Sequence, residues 1–96
     1  MKRFQLSRRA TKDLELIADY IFTDNPDAAE SVLDDFNRAF LDLARMPFMG
    51  HTRRDLTTRN VRFWPVRSYL VVYQTTKPLR IVRVIHGKRD VASILR

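Results

Sequence analysis

The 96-residue sequence contains no cysteine and two glycines. Without cysteine there can be no disulfide framework, no thiolate metal site and no cysteine nucleophile. So few glycines argue against long flexible linkers, and no apolar run approaches the length of a membrane span. The first 14 residues also lack the apolar stretch of a signal peptide. We therefore expect one folded domain, residues 1–96, that lies in the cytoplasm and does not bind membranes.

Acidic residues are scarce in the second half of the chain. Residues 1–50 carry 7 Lys or Arg against 9 Asp or Glu, a balance of −2, whereas residues 51–96 carry 11 against 2, a balance of +9. The two halves give the net charge of +7. A positive half attracts nucleic acid, a membrane surface or an acidic protein segment, and charge alone does not choose among them.

Two helices are predicted in the acidic half, after a short strand at Arg3–Leu6. Ser7 is a suitable N-cap for the first helix, whose apolar stripe ends near residue 24. Asn25 and Pro26 then combine a capping residue with a residue suited to the first helical position, so the second helix follows at once. It ends before Pro47, and a loop covers residues 48–59.

Three strands are predicted in the basic half, near residues 61–66, 69–75 and 79–86, with connections of hairpin length. A short closing helix is expected within residues 88–96. The order is strand-helix-helix-strand-strand-strand. We therefore predict an α+β fold in which a helical hairpin packs on one face of a mainly antiparallel four-stranded sheet, leaving the other face available.

The pleat of the last strand predicts which residues face the helices. The set with an uninterrupted apolar centre is the better core candidate, and it consists of Arg80, Val82, Val84 and His86. The basic and aromatic residues of the opposite parity are then expected to share one exposed patch: Arg62, Arg67, Tyr69, Tyr73, Arg83 and Arg89. The alternative for any single arginine is a solvated side chain lying over its neighbours. Leu16 and Tyr20 lie off the core stripe of the first helix and suggest a further partner surface.

The ordered motifs of the chain resemble the RelE/ParE superfamily of toxin-antitoxin toxins, and ParE more closely within it. The matching segments span nearly the whole chain: Arg8-Arg9-Ala10, Asp13-Leu14, Ile17 to Ile21, Asn25-Pro26, Ala28-Ala29, Phe40, Leu43-Ala44, Pro47, Gly50, Arg54-Asp55-Leu56, Val61-Arg62, Tyr69 to Tyr73 and Ile81 to Asp90. The resemblance implies a toxin that forms a hetero-oligomer with an acidic, ParD-like antitoxin. For ParE members it implies DNA gyrase as the target, and for RelE members messenger RNA cleaved on the ribosome.

Cleavage of RNA calls for a base, an acid and cations near the reacting phosphate. If the protein is a nuclease, its candidate catalytic residues are His86, Arg62, Arg67 and Arg83. RelE-like nucleases often supply a tyrosine near the end of the last strand, where this chain has Gly87 after His86. That difference favours a gyrase-binding toxin without catalytic residues, and a non-toxic nucleic-acid-binding module is the third possibility.

These considerations lead to three statements about sites. No cofactor and no metal are expected. The residues predicted to contact the antitoxin are Leu16, Tyr20, Arg62, Arg67, Tyr69, Tyr73 and Arg83. The residues predicted to contact the target are His86, Lys88 and Arg89, and the C-terminal segment 87–96 is a further candidate for target engagement.

Overall fold

The computed structural model describes residues 3–96, which form helices around one sheet. The elements are β1 (Phe4–Leu6), α1 (Arg8–Asp24), α2 (Pro26–Arg45), β2 (Arg62–Val66), β3 (Tyr69–Gln74), β4 (Leu79–His86) and α3 (Val91–Ile94). The predicted order is confirmed, and the closing helix is present but has 4 residues. Within residues 3–96, no helix combines the length and the apolar character that crossing a membrane requires.

Two capping residues define the helical hairpin. The Ser7 side chain accepts a hydrogen bond from the Ala10 amide at 3.0 Å and donates to the Val82 carbonyl at 2.7 Å, so this N-cap also ties α1 to β4. Asn25 serves both helices, because its amide donates to the Ile21 carbonyl at 2.8 Å and its Oδ1 accepts from the Ala28 amide at 3.2 Å. One residue therefore ends α1 and begins α2, which keeps the turn tight.

The sheet has the strand order β1-β4-β3-β2. β4 pairs antiparallel with β3, and β3 antiparallel with β2, as two hairpins require. β1 pairs parallel with β4 because the two helices carry the chain across between these strands. The sheet is thus mixed, and the predicted α+β architecture is confirmed.

The helices bury one face of the sheet. This helix-side core comprises Ala10, Val32, Phe36, Phe40, Leu43, Val71, Tyr73, Leu79, Ile81 and Val84. Aromatic contacts run through it from Phe4 to Phe40, which stacks on Phe36, and from Phe36 to the edge of Tyr69, with ring centroids 5.3 to 6.2 Å apart. Such contacts add to the free energy that area burial supplies, so α2 is firmly docked.

The second face of the sheet is not free, contrary to the prediction. Val61, Phe63, Val72 and Ile85 form a second buried cluster there, closed by Val91 and Leu95 of the C-terminal segment. A two-sided sheet with apolar residues on both faces needs cover on both, and the short α3 supplies it. The prediction was wrong because the tail has few apolar residues, and their spacing indicates a short helix without indicating which surface it covers.

The predicted core set of β4 is wrong over the first half of the strand. Leu79 and Ile81 belong to the helix-side core, Arg80 is exposed and Val82 packs on the second cluster. The β3 partners change from Val72 opposite Arg83 to Tyr73 opposite Ile81, so Val82 is an extra residue in β4. This bulge inverts the alternation, and only then does Val84 point to the helices.

Tyr73 is fully buried and anchors the long loop from inside the core. Its hydroxyl donates to the Pro47 carbonyl at 2.7 Å and accepts from the Gly50 amide at 2.9 Å. A Cβ on Gly50 would lie 2.5 Å from that hydroxyl oxygen, so the close approach requires glycine. Burial raises the pKa of the Tyr73 hydroxyl, although the Gly50 amide and the Arg62 charge oppose the shift.

We predict that Tyr73→Phe lowers the free energy of unfolding by about 2 kcal/mol, because it leaves two polar backbone groups without their partner. Tyr20→Phe is the matched control, since the Tyr20 side chain is 74% exposed and its change should fall within about 0.5 kcal/mol. Urea unfolding measures both. Equal stability of Tyr73→Phe and the native protein would contradict the anchoring role.

The raised pKa also predicts a pH dependence. A phenol whose pKa is higher in the folded than in the unfolded state contributes stability that is present below the unfolded pKa of about 10 and is lost as pH rises through the folded value. Above pH 10 the native protein should lose up to about 1.4 kcal/mol per pH unit more than Tyr73→Phe loses. Parallel curves for the two proteins would rule the effect out.

Candidate partner-binding surfaces

An apolar groove follows the seam between α1 and α2 on the outside of the hairpin. One part has a volume of about 530 Å³ and the next about 370 Å³, and both parts share Ala18, Asp19 and Leu33. The remaining lining residues are Leu6, Thr11, Leu14, Glu15, Phe22, Pro26, Ala29, Glu30 and Asp34. We call this the hairpin groove. Small side chains such as Ala18 and Ala29 leave it open, because they fill little of the space between the helices.

The groove combines an apolar floor with an acidic rim. Phe22 is 60% exposed and Leu33 38% exposed, which is much apolar area for two neighbouring helices. The charged residues along the groove are all acids: Glu15, Asp19, Glu30 and Asp34. A concave apolar strip of this kind suits the apolar face of an amphipathic helix, and its acidic rim disfavours an acidic segment.

Leu16 and Tyr20, predicted to contact the antitoxin, are exposed but lie outside the hairpin groove. They are 55% and 74% exposed and one turn apart. With 3.6 residues per turn, both fall on the side of α1 away from Ala18. They therefore form a separate apolar pair. The groove was not predicted, because the apolar spacing placed Ala18 and Leu33 in the core stripes of the two helices. Alanines in those stripes could have indicated a groove, since their small side chains leave space between the helices.

Arg62, Tyr69 and Tyr73 do share one face of the sheet, but it is the face under the helices. The pairing places Arg62 opposite Tyr73 and Val66 opposite Tyr69. Tyr73 is buried, Tyr69 packs edge-on against Phe36 at 5.6 Å, and Arg62 donates to the Gly50 carbonyl at 2.7 Å. The helices cover this face, so the three residues do not form the predicted exposed patch. The prediction was wrong because it assigned their side of the strands to solvent rather than to the core.

Arg67 occupies the turn between β2 and β3, where its backbone has a φ of 54°. Its Nε donates to Asp35 Oδ2 at 2.7 Å, and its terminal nitrogen lies 3.3 Å from the Ser31 hydroxyl. Both partners belong to α2. The arginine thus joins the hairpin turn of the sheet to the helix above it, with a side chain that is still 45% exposed.

Arg83 is part of a buried ion pair rather than of a binding face. Its guanidinium donates to both carboxylate oxygens of Asp13, at 2.8 and 3.1 Å, and both side chains are 11% exposed. Asp13 Oδ2 also accepts from the Val84 amide at 2.9 Å. The carboxylate therefore satisfies a strand amide beside the bulge, at the β4 edge that β1 is too short to cover.

His86 ends β4 in a half-buried position. Its ring meets Tyr69 edge-on at 5.2 Å, and its Nδ1 accepts from the Lys88 amide at 3.1 Å, which leaves Nε2 to carry the proton. Lys88 and Arg89 are exposed in the turn that follows. Of the predicted target-binding residues, these two are the accessible charges.

The C-terminal turn is closed by an acidic cap. Asp90 accepts from the Ser93 hydroxyl at 2.7 Å and from the Ser93 amide at 3.2 Å. The Ser93 side-chain bond is the main cause that lowers the pKa of Asp90 below its usual value. Asp55 behaves in the same way through its hydrogen bonds with Arg53. The carboxylates of the basic half are therefore both used within the protein.

One family model and two known proteins match this chain. Residues 4–91 match the family model described as the ParE toxin of the type II toxin-antitoxin system parDE. The candidate toxin Y4kP of Sinorhizobium fredii is 30% identical over 94 residues, which cover 98% of this chain and 97% of that protein. A chain from the chromosomal ParDE toxin-antitoxin system of P. aeruginosa superposes with a TM-score of 0.73 at 18% identity, covering 86% of this chain and 92% of that one.

The ion pair gives a direct test of the role of Arg83. We predict that Arg83→Ala lowers the free energy of unfolding by about 3 kcal/mol, because it leaves the Asp13 carboxylate largely buried without its cation. Arg80→Ala, in the same strand but exposed, should change stability by less than about 0.5 kcal/mol. Chemical denaturation compares the two variants. A small effect of Arg83→Ala would return this arginine to the candidate contacts of a partner.

Proposed function

The chain belongs to the ParE toxin family of type II toxin-antitoxin systems, and from this we propose that it inhibits DNA gyrase by binding and is neutralised by a cognate antitoxin. The choice between binding and RNA cleavage rests on one observation, the hydrogen bonding of three arginines. The cations that a nuclease site would need, Arg62, Arg67 and Arg83, are each held by a group within the protein.

A nuclease requires those cations around its acid and base. Phosphodiester cleavage develops negative charge that must meet positioned donors, and a guanidinium already paired with a carboxylate offers little to a phosphate. Arg83 donates two hydrogen bonds to Asp13, and Arg62 donates one to the loop carbonyl of Gly50. His86 is left with Tyr69 and the Lys88 amide as neighbours. This arrangement supports a toxin that acts by binding rather than by cleavage.

The target-binding segment in this proposal begins at the end of β4. Lys88 and Arg89 lie in the exposed turn after His86. Neither side chain forms an ion pair with another group of residues 3–96. The turn is rigid for its size, because the Gly87 amide donates to the Ser68 carbonyl at 2.8 Å and Asp90 caps the next turn. Two exposed cations on a hydrogen-bonded turn suit an acidic protein surface.

The proposed antitoxin contact is the hairpin groove. Its apolar floor and length along α1 and α2 fit one amphipathic helix. The separate apolar pair Leu16 and Tyr20, on the other side of α1, is a second candidate contact. Of the three arginines predicted to contact the antitoxin, Arg67 is the exposed one and is accessible to the same partner above α2. Tyr73 and Arg83 leave the set of direct contacts, because Tyr73 is buried and Arg83 is largely buried in its ion pair with Asp13.

Purified gyrase and translating ribosomes provide the test of the target. The protein should inhibit supercoiling and leave ribosome-bound messenger RNA intact. His86→Ala should keep inhibition within about threefold, whereas a nuclease that loses its general acid or base slows by about 100-fold or more. Replacing Lys88 and Arg89 by Ala should weaken inhibition. Cleaved RNA with unchanged supercoiling would refute the gyrase proposal.

Antitoxin binding is tested with a matched pair on α2. Leu33→Arg places a charge in the groove, while Leu41→Arg makes the same change at a residue of equal exposure, 38% against 39%, outside the groove. In cells that co-express the protein encoded beside this toxin, Leu33→Arg should restore growth arrest and abolish co-purification, because the long charged side chain occupies the apolar floor and is costly to desolvate under a bound helix. Leu41→Arg should stay neutralised. Equal behaviour of the two variants would exclude the groove.

A further inference from the structure

A separate concavity opens beside β4, where the first turn of α1, the long loop and the C-terminal segment meet. Its volume is about 310 Å³, and its lining residues are Ser7, Arg9, Arg59, Arg80, Val82, Arg83, Ile94 and Leu95. We call it the basic pocket. Four of its eight lining residues are arginines, drawn from α1, from the long loop and from β4, and none is an acid. The fold therefore brings together cations that are far apart in the chain.

Three of the four arginines are available to a ligand. Arg83 is neutralised by Asp13. Arg9, Arg59 and Arg80 are exposed, and their side chains form no hydrogen bond or ion pair with any group of residues 3–96. Converging guanidinium groups repel one another, so an arrangement with no internal counter-charge is most stable when an anion occupies it.

The first turn of α1 places Arg9 against the electrostatic preference of the helix. The partial positive charge at a helix N-terminus favours acidic residues, yet α1 has no acid in its first turn and carries Arg8 and Arg9 there. The first turn of α2 follows the usual rule with Asp27. A local electrostatic rule broken at one end of one helix commonly marks a functional position. Arg9 lines the pocket and Arg8 does not.

The floor of the pocket selects among anionic ligands. Val82 and Ile94 are partly exposed and supply an aliphatic surface, whereas Leu95 is buried, and no aromatic side chain among residues 3–96 lines the cavity. Single-stranded nucleic acid is usually held by aromatic side chains on which its bases stack. A peptide can use both parts of the pocket, because its carboxylates meet the arginines while an aliphatic side chain covers the floor.

We propose that the basic pocket binds an acidic peptide segment bearing an aliphatic side chain. Glutamate or aspartate carboxylates pair with Arg9, Arg59 and Arg80, and the aliphatic side chain packs on Val82 and Ile94. The inference rests on the proposed function in one respect, that the antitoxin supplies this segment. It divides the antitoxin contact in two, because the acidic rim of the hairpin groove repels the same carboxylates that the basic pocket attracts.

Fluorescence anisotropy with a defined probe tests the pocket on the full chain. The probe is a labelled synthetic peptide of repeated Glu-Glu-Leu, and a labelled oligodeoxythymidine of equal net charge is the competitor. Arg9→Glu, and separately the pair Arg59→Glu and Arg80→Glu, should weaken peptide binding by about tenfold or more, because each change turns an attraction into a repulsion. Added salt should weaken binding to the native protein.

Arg8→Glu is the matched control for Arg9→Glu. It changes the same turn of α1 by the same charge at an exposed residue outside the pocket, so peptide affinity should stay within about twofold. Equal losses from the two variants would show that only net charge matters and would overturn the proposal. Tighter binding of the oligonucleotide, with the same dependence on Arg59 and Arg80, would overturn it in favour of a nucleic-acid site.

The experiment separates the pocket from the proposed function. Probe binding requires neither gyrase nor an antitoxin, so a protein that fails to inhibit supercoiling can still show the predicted loss in Arg9→Glu. Conversely, variants that bind the peptide as the native protein does would refute the pocket while leaving gyrase inhibition unaffected. All substituted residues are exposed, and circular dichroism of each variant checks that the fold is kept.

Discussion

The Asp13 carboxylate is the interaction on which the rest of the structure depends. It lies on α1 and binds β4 at the place where that strand carries an extra residue, taking up the Arg83 guanidinium and the Val84 amide together. The Ser7 hydroxyl binds the Val82 carbonyl on the same edge. β4 is flanked by β3 along its length but by β1 over three residues, so its remaining edge would otherwise expose unpaired backbone groups. α1 satisfies that edge with side chains instead of a strand.

The bulge that Asp13 stabilises determines how charge is distributed over the surface. Because the alternation of β4 inverts at Val82, Ile81 and Val84 both reach the helix-side core, and Arg80 and Val82 remain beside the basic pocket. Arginines that look equivalent along the sequence therefore divide into two groups. Arg62, Arg67 and Arg83 hold loop, helix and strand together, whereas Arg9, Arg59 and Arg80 have no partner among residues 3–96. The arginines of the second group are therefore different from those that the alternation placed on an exposed face.

The hairpin groove and the basic pocket, the two proposed binding surfaces, have rims of opposite charge. The hairpin groove has an acidic rim and an apolar floor, and the basic pocket has three unpaired cations over an aliphatic floor. A single partner that occupied both would need an apolar helix followed by an acidic segment. Opposite rims fix the direction in which such a partner lies, because reversing it would place like charges together. This asymmetry reflects the uneven distribution of acidic residues along the chain, which gives a charge balance of −2 for residues 1–50 and +9 for residues 51–96.

The sequence by itself determined the elements and their order. Ser7 and Asn25 with Pro26 are local signals, read from neighbouring residues, and the hairpin-length connections predicted the meander, so these features were confirmed. The tertiary structure alone decided which face of the sheet each residue occupies. A bulge at Val82, the cover that Val91 and Leu95 place on the second face, and the pairing of Arg83 with a residue 70 positions away depend on contacts between distant segments. Alternation in a strand has a period of two, so one inserted residue reverses every later assignment, and no local pattern carries that information.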